Sequence, residues 1–397
     1  MTVSPHADRL PGPGARPSTA LVPSSSSSVR ARRRDRRVYT RSHPLLFALL
    51  AATRHRPVTR IGSTVLVHGT DAYRQALTRI PLDRTAAGTT GGAARELSGG
   101  GLLFDQEGGS HRDTRRAVAD DLGSARVERL RPVWKAVLDR RLAPLTTGQA
   151  IDMVALAREL AGATVCALLD TTADPMAVAD AAAEAAATAV KDHLPGPRRP
   201  GTRHTAARAT RRLEDLLTPT GMGEAGLRAM LAVAAVNTTI AALPRAAAWC
   251  ADADLWASAA DDRLRPSLVT ELLRFTAPSP LLPRVAAADA AVDGCPVRAG
   301  DRLILVARHA AHAHDRIPDP PPSRRPPTVA QLVFGAGPHA CPGARLARAQ
   351  LDDTLTALAP YRPVVARARV DRRAALPSWR SLTIRATAAP PEPRETR

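Results

Sequence analysis

The stretch Phe334–Leu351 reads FGAGPHACPGARLARAQL. Glycines at 335, 337 and 343 surround one bend, and Cys341 sits in that bend between Ala340 and Pro342. Glycine admits backbone conformations closed to other residues and removes side-chain bulk. A broad planar ligand can therefore lie against the chain here. Pro342 is a favoured first residue for a helix, and the pattern from Ala344 to Leu358 predicts one. Helix-start amides and the positive end of the helix dipole favour a thiolate over a thiol. The bend suits a cysteinate ligand to a metal or haem. It equally suits a buried structural cysteine, the common fate of a free thiol.

Bulk properties narrow what surrounds this bend. The chain has 397 residues, 44% of them hydrophobic and only 3% aromatic, so Ala, Leu and Val must build a large core. Cys166, Cys250, Cys295 and Cys341 are widely spaced, which excludes a zinc ribbon and a disulfide scaffold. No apolar run reaches the length of a membrane span. LLFALLAA, Leu45 to Ala52, is short and starts too far in for a signal peptide. The expectation is a cytoplasmic protein without membrane insertion. Net charge is +19, and all but two of the 56 basic residues are Arg. Without interleaved aromatics to stack on bases, this charge reads as a solvated or protein-docking surface rather than a nucleic-acid site.

Residues 1–38 are rich in Pro, Ser and Arg, with SSSSS at Ser24–Ser28 and RARRRDRR at Arg30–Arg37. This composition predicts a disordered basic tail, with residues 39–397 forming one domain. A short helix (HPLLFALLAATR), two strands about a Gly62 turn and another helix (DAYRQALTR) follow. The Gly/Thr-rich stretch Asp83–Gly109 reads as a long mobile loop. It lacks the Lys-Ser/Thr of a phosphate-binding loop. Helical patterning runs from Ser110 to about Asp252. Its last element, Gly221 to about Cys250, is the most apolar, and Pro244 should kink or end it. Short strands, a Pro-rich coil at Pro318–Pro327, the cysteine bend, a helix and a terminal β-hairpin complete the chain. His309, His312 and His314 lie close together in a strand-like context, which favours a structural role over a metal site.

The segment FGAGPHACPG matches, at every specified position, the F-G-x-G-x-H-x-C-x-G signature of the cytochrome P450 family, and the resemblance covers roughly residues 40–390. It is similar to the soluble bacterial members. The resemblance implies a mainly α fold with small β-sheets, a single haem domain with a long central helix over the haem. It implies haem b with Cys341 as the proximal thiolate, electron-rich enough to favour O–O cleavage. Phe334 would pack beside the sulfur, and Gly335, Gly337 and Gly343 would admit the macrocycle. His339 would reach a haem propionate, as would His111 and Arg115 of HRDTR, four residues apart on one helix face, and Arg284 of LLPRVA. ELLR fits the family's E-x-x-R, making Glu271 and Arg274 a structural ion pair completed by Arg324 or Arg325.

The long apolar helix carries AAVNTT, which resembles the family's oxygen-binding groove A/G-G-x-D/E-T-T/S. Thr238 matches the threonine that assists dioxygen protonation, with Thr239 beside it. Ala235 replaces a glycine, and Asn237 replaces an acid. An amide cannot titrate near neutral pH, so proton delivery must differ. Leu102, Leu103, Met230, Ala234, Leu281 and Leu282 are candidate pocket residues for a small apolar substrate. The implied activity is an oxidoreductase, a monooxygenase of secondary metabolism that uses O2. Electrons would come from NAD(P)H through ferredoxin reductase and ferredoxin, with no fused reductase expected. Arg345 and Arg348 would face the acidic partner. The alternatives are a non-hydroxylating oxidation (coupling, desaturation or rearrangement) and a catalytically impaired haem-binding protein.

Overall fold

The computed structural model describes residues 25–98, 100, 103–193, 202–217, 225–314 and 327–387. Helices dominate, and they pack around the 29-residue helix Ala225–Ala253. The helices Met153–Leu168, Pro175–His193 and Ser25–Ser42 lie against it. Ile240 to Cys250 are all buried, because small Ala side chains let neighbouring helices approach closely on every side. Pro244 does not end this helix, which runs on to Ala253, so the early stop expected from sequence is corrected. Its missing N–H costs one hydrogen bond, while burial of the whole segment holds the rod together.

This helix also corrects the reading that no apolar run is long enough for a bilayer. An eighteen-residue window of it has mean hydropathy 1.5, enough by length and composition alone. Here the helix is internal, and it carries a buried charge. Arg245 Nη2 lies 2.7 Å from Asp35 Oδ1 and donates to Tyr39 Oη at 2.5 Å. The Tyr39 hydroxyl in turn donates to the Thr276 carbonyl at 2.6 Å.

Asp35 and Tyr39 belong to the helix Ser25–Ser42, so the expected disordered tail is corrected from residue 25 onward. Ala31, Asp35, Val38 and Tyr39 recur at helical spacing and are buried, while the intervening arginines are mostly exposed. Arg34 also pairs with Asp252 at the end of the long helix. Composition made the segment look solvated, but Arg34 and Asp35 are matched across the fold. Residues 1–24 lie outside the described residues. Tyr39→Phe removes a hydroxyl bonded to a charged group and is expected to cost about 1.5–3 kcal/mol in denaturant unfolding. An unchanged unfolding midpoint would show that this helix is peripheral.

A five-stranded sheet is ordered Val58–Ile61, Thr64–Val67, Arg302–Leu305, Leu282–Ala286, Leu82–Asp83. Gly62, at φ +58°, makes the first turn. A three-stranded sheet joins Ile151–Asp152 to the hairpin Val364–Asp371 and Ser378–Arg385. The Gly/Thr-rich stretch is not loop throughout, since Thr90–Ser98 is helical. The Asp83 carboxylate accepts from the amides of Thr85 and Ala86 and starts this turn. Added Cβ atoms at Gly91 and Gly92 would lie 2.0 and 2.2 Å from the carbonyls of Arg84 and Ala86. These glycines are required by close backbone approach, not by mobility.

The histidine-rich stretch is also not a strand: His309 lies in the short helix Ala307–Ala310, and a turn follows. His309 Nδ1 is 2.9 Å from His68 Nδ1, and both rings are buried. Burial, then His314, holds His68 down to about 4. Burial, then His68, His314, Arg308 and Arg54, holds His309 down to about 3. Both are neutral when folded but take a proton near their ordinary value of 6.5 when unfolded. Stability is therefore full above that value and is lost as pH falls toward about 4 and then 3. The denaturant midpoint should fall between about pH 7 and about pH 5, and less steeply in His309→Asn. Equal slopes in both proteins would remove this pair as the cause.

Candidate functional site

The cysteine bend is built from two short turns. Gly335 at φ +79° and Gly337 at φ +71° hold left-handed conformations. A Cβ at Gly337 would press on Thr78 Cγ2 at 3.2 Å. The Cys341 amide donates to the Phe334 carbonyl at 2.7 Å, closing the loop beneath the sulfur. Gly343 precedes the helix Ala344–Leu358, and a Cβ there would sit 3.8 Å from Cys341 Sγ. The thiol has an exposed surface yet is ringed by protein. Burial pushes its pKa up, and the Gly343 amide with the charges of Arg115 and Arg348 pulls it down. The helix-start effect expected from sequence is thus present but outweighed by crowding. Phe334 packs against the helical core and under Arg348, whose guanidinium carbon lies 4.7 Å from the ring centre. That stacking takes Arg348 away from the surface, while Arg345 stays exposed.

His111 and Arg115 share the helix Gly108–Asp121. The His111 ring is buried and stacks on His339, with centroids 3.9 Å apart and planes at 27°. Its Nε2 is buried with no hydrogen-bond partner in the protein. Burial, then Arg84, His111, Arg284 and Arg115, pushes His339 down to about 3. Burial, then Arg115 and Arg84, lowers His111. Arg284 is buried, donates to the Pro283 carbonyl at 2.8 Å, and is pushed down to about 10 by burial and then Arg84. Five nitrogen-bearing side chains from four segments thus repel one another. An acid does reach them at the rim, where Glu107 lies 3.7 Å from Arg84 Nε. Such a cradle suits a ligand bearing carboxylates, and it adjoins the sulfur. The donor set therefore fits haem held by Cys341 and by its propionates. Arg84 was missed by sequence reasoning, since a single Arg before a Gly-rich stretch carries no local signal.

Glu271 and Arg274 form a buried bidentate pair, with Nε–Oε1 at 3.0 Å and Nη2–Oε2 at 2.5 Å. Arg274 Nη1 also donates to the carbonyls of Ala311 (3.1 Å) and His312 (2.7 Å). Arg324 and Arg325, proposed as the third member, lie outside the described residues.

On the long helix, Thr238 Oγ1 donates back to the carbonyls of Ala234 (2.8 Å) and Ala235 (3.3 Å). Asn237 Nδ2 donates to Val233 (2.8 Å) and, across to the next helix, to Ala182 (3.3 Å). Thr239 is half-buried. Asn237 also borders a cavity of about 250 Å³ whose walls include Arg158, Asp180, Glu184 and Arg373. The pocket candidates do not converge on this cavity. Leu103 and Met230 lie in the helical core, Leu281 packs with Leu50, Leu66 and Val306, and Leu282 joins the sheet cluster. Ala234 is half-buried on the long helix, and Leu102 lies outside the described residues.

The cytochrome P450 family model matches residues 264–358, the segment holding both the buried ion pair and the cysteine bend. The fold superposes on P450BioI, solved in complex with an acyl carrier protein ligated to hexadec-9Z-enoic acid, with TM-score 0.71 at 17% identity over 87% of this chain and 99% of that one. Residues 264–358 match the cytochrome P450 family, and the chain has the cytochrome P450 fold. The chain is 39% identical over 97 residues to erythromycin C-12 hydroxylase of Saccharopolyspora erythraea, covering 23% of this chain and 24% of that protein. It is 36% identical over 101 residues to the steroid C26-monooxygenase of Mycolicibacterium smegmatis, covering 25% of each. The match thus spans about a quarter of the length of these relatives. Within the P450 fold, the main α character with small sheets and the central helix agree with the sequence reading.

Proposed function

We propose that this protein is a cytochrome P450, a haem-thiolate monooxygenase that oxidises a small apolar molecule in secondary metabolism. Haem b, when bound, supplies dioxygen activation. The observation carrying the reading is the junction of the Cys341 bend with the carboxylate-binding cradle of His111, Arg115, Arg284 and His339. Cys341 would hold the iron, with Phe334 and Gly343 shielding the sulfur. Thr238 would turn its hydroxyl from the helix toward O2, with Thr239 beside it. Electrons would pass from NAD(P)H through ferredoxin reductase and ferredoxin, and Arg345 would steer the acidic ferredoxin. The relatives named as hydroxylase and monooxygenase favour oxygen insertion.

A second reading is a non-hydroxylating oxidation, with less demand on the proton path. It is favoured by Asn237, an amide committed to two carbonyl oxygens where the resembled oxygen-binding groove has an acid. The discriminating experiment begins with the reduced, carbon monoxide-treated protein. It should show the strongly red-shifted Soret band of thiolate ligation, and Cys341→Ser should lose it. An unchanged band in Cys341→Ser would overturn the ligand assignment. Product analysis on a compound that displaces the distal water then separates oxygen insertion from coupling or desaturation.

A further inference from the structure

Arg84 stands where like charges meet, with the exposed Glu107 carboxylate at the rim as its nearest acid. The strand Leu82–Asp83 pairs antiparallel with Leu282–Ala286, in the register Leu82↔Ala286 and Asp83↔Val285. Arg84 follows at the end of this pairing, close enough for its charge to lower the pKa of Arg284. Like charges brought together at the end of a strand pair are destabilising. The Arg84 side chain is only 10% exposed. Its Nε is buried without a hydrogen-bond partner, and the Glu107 carboxylate is 3.7 Å away, beyond hydrogen-bond reach. A buried guanidinium nitrogen so placed lacks the acceptor its burial requires.

We propose that Arg84 binds a haem carboxylate together with Arg284, and that the haem thereby fastens the Gly-rich segment that begins at Arg84. This rests on the haem reading above. Two contacts connect the anchor to the segment. The helix Thr90–Ser98 folds back on the main chain at Arg84, where a Cβ at Gly91 would meet the Arg84 carbonyl at 2.0 Å. Glu107, at the far end of the segment, approaches the same guanidinium. Arg84 therefore sits at the closed base of residues 84–107. A carboxylate bound there would satisfy the orphan Nε and relieve the repulsion with Arg284, steadying both ends at once.

The test uses the holoenzyme and its Arg84→Ala, Arg84→Gln and Arg84→Lys variants. Three quantities are read: haem loss to an excess of a haem-scavenging protein, the resonance Raman propionate bending band, and amide hydrogen exchange over residues 85–98. Loss of a charge-assisted hydrogen bond should speed haem release about ten- to hundredfold in Arg84→Ala. The propionate band should shift, and exchange at residues 85–98 should quicken. Arg84→Lys should restore part of all three. Arg84→Gln keeps the side chain's bulk and serves if the alanine variant does not accumulate. A propionate band and haem-release rate equal to wild type in Arg84→Gln would overturn the proposal. Faster haem loss with an unmoved propionate band would also overturn it, leaving a packing role. Absence of the thiolate-type carbon monoxide spectrum in the wild-type protein would instead defeat the haem reading itself.

Discussion

Glu271→Ala is expected to cost about 3–5 kcal/mol and to deplete the purified protein of haem, because it strands a buried positive charge. Arg274 is held by two bonds to Glu271 and by the carbonyls of Ala311 and His312. Without the carboxylate, two neutral carbonyls must satisfy a guanidinium whose side chain is 4% exposed. The carbonyls belong to the turn after the short helix Ala307–Ala310. Glu271→Ala combined with Arg274→Met should recover much of the loss, since the pair's cost lies in breaking it rather than omitting it. The measurement is the denaturant midpoint and haem content of the single and double variants. A haem-replete Glu271→Ala protein with wild-type unfolding would make this pair dispensable.

Asn237→Asp is expected to raise the share of reducing equivalents that end in product rather than peroxide. A positioned acid–base group is worth about 10²–10⁴-fold, and water reaching Asn237 through the adjoining cavity should limit the gain to the lower end. The structure adds a cost. Asn237 Nδ2 donates to Val233 and Ala182, which a carboxylate cannot do unless protonated. Opposed to two carbonyl oxygens, the new carboxyl should hold its proton to higher pH than a free one, or turn toward Arg158 and Arg373 across the cavity. Product and peroxide per reducing cofactor consumed should be compared for wild type, Asn237→Asp and Asn237→Ala on one substrate. Equal coupling in all three would exclude position 237 from the proton path.

The cysteine bend was legible in the sequence because its chemistry is local. Ten consecutive residues hold the ligand, the glycines that bare it and His339, and the helix that follows begins at Ala344. The long helix was legible from its apolar composition, and the sheet strands from short runs bounded by turns. The helix Ser25–Ser42 was not. Its arginines and serines look solvated one by one, yet Asp35 and Tyr39 meet Arg245, more than two hundred residues away. Composition counts charges but does not show which are paired, and pairing decides whether such a segment is tail or core. Arg84 was hidden for the same reason, since only the strand pairing brings its charge close to Arg284. The sequence by itself determined the fold class, the cysteine bend and the residues Ala235 and Asn237 on the long helix. The tertiary structure alone decided which distant charges meet, because burial turns an ordinary surface charge into one that must find a partner.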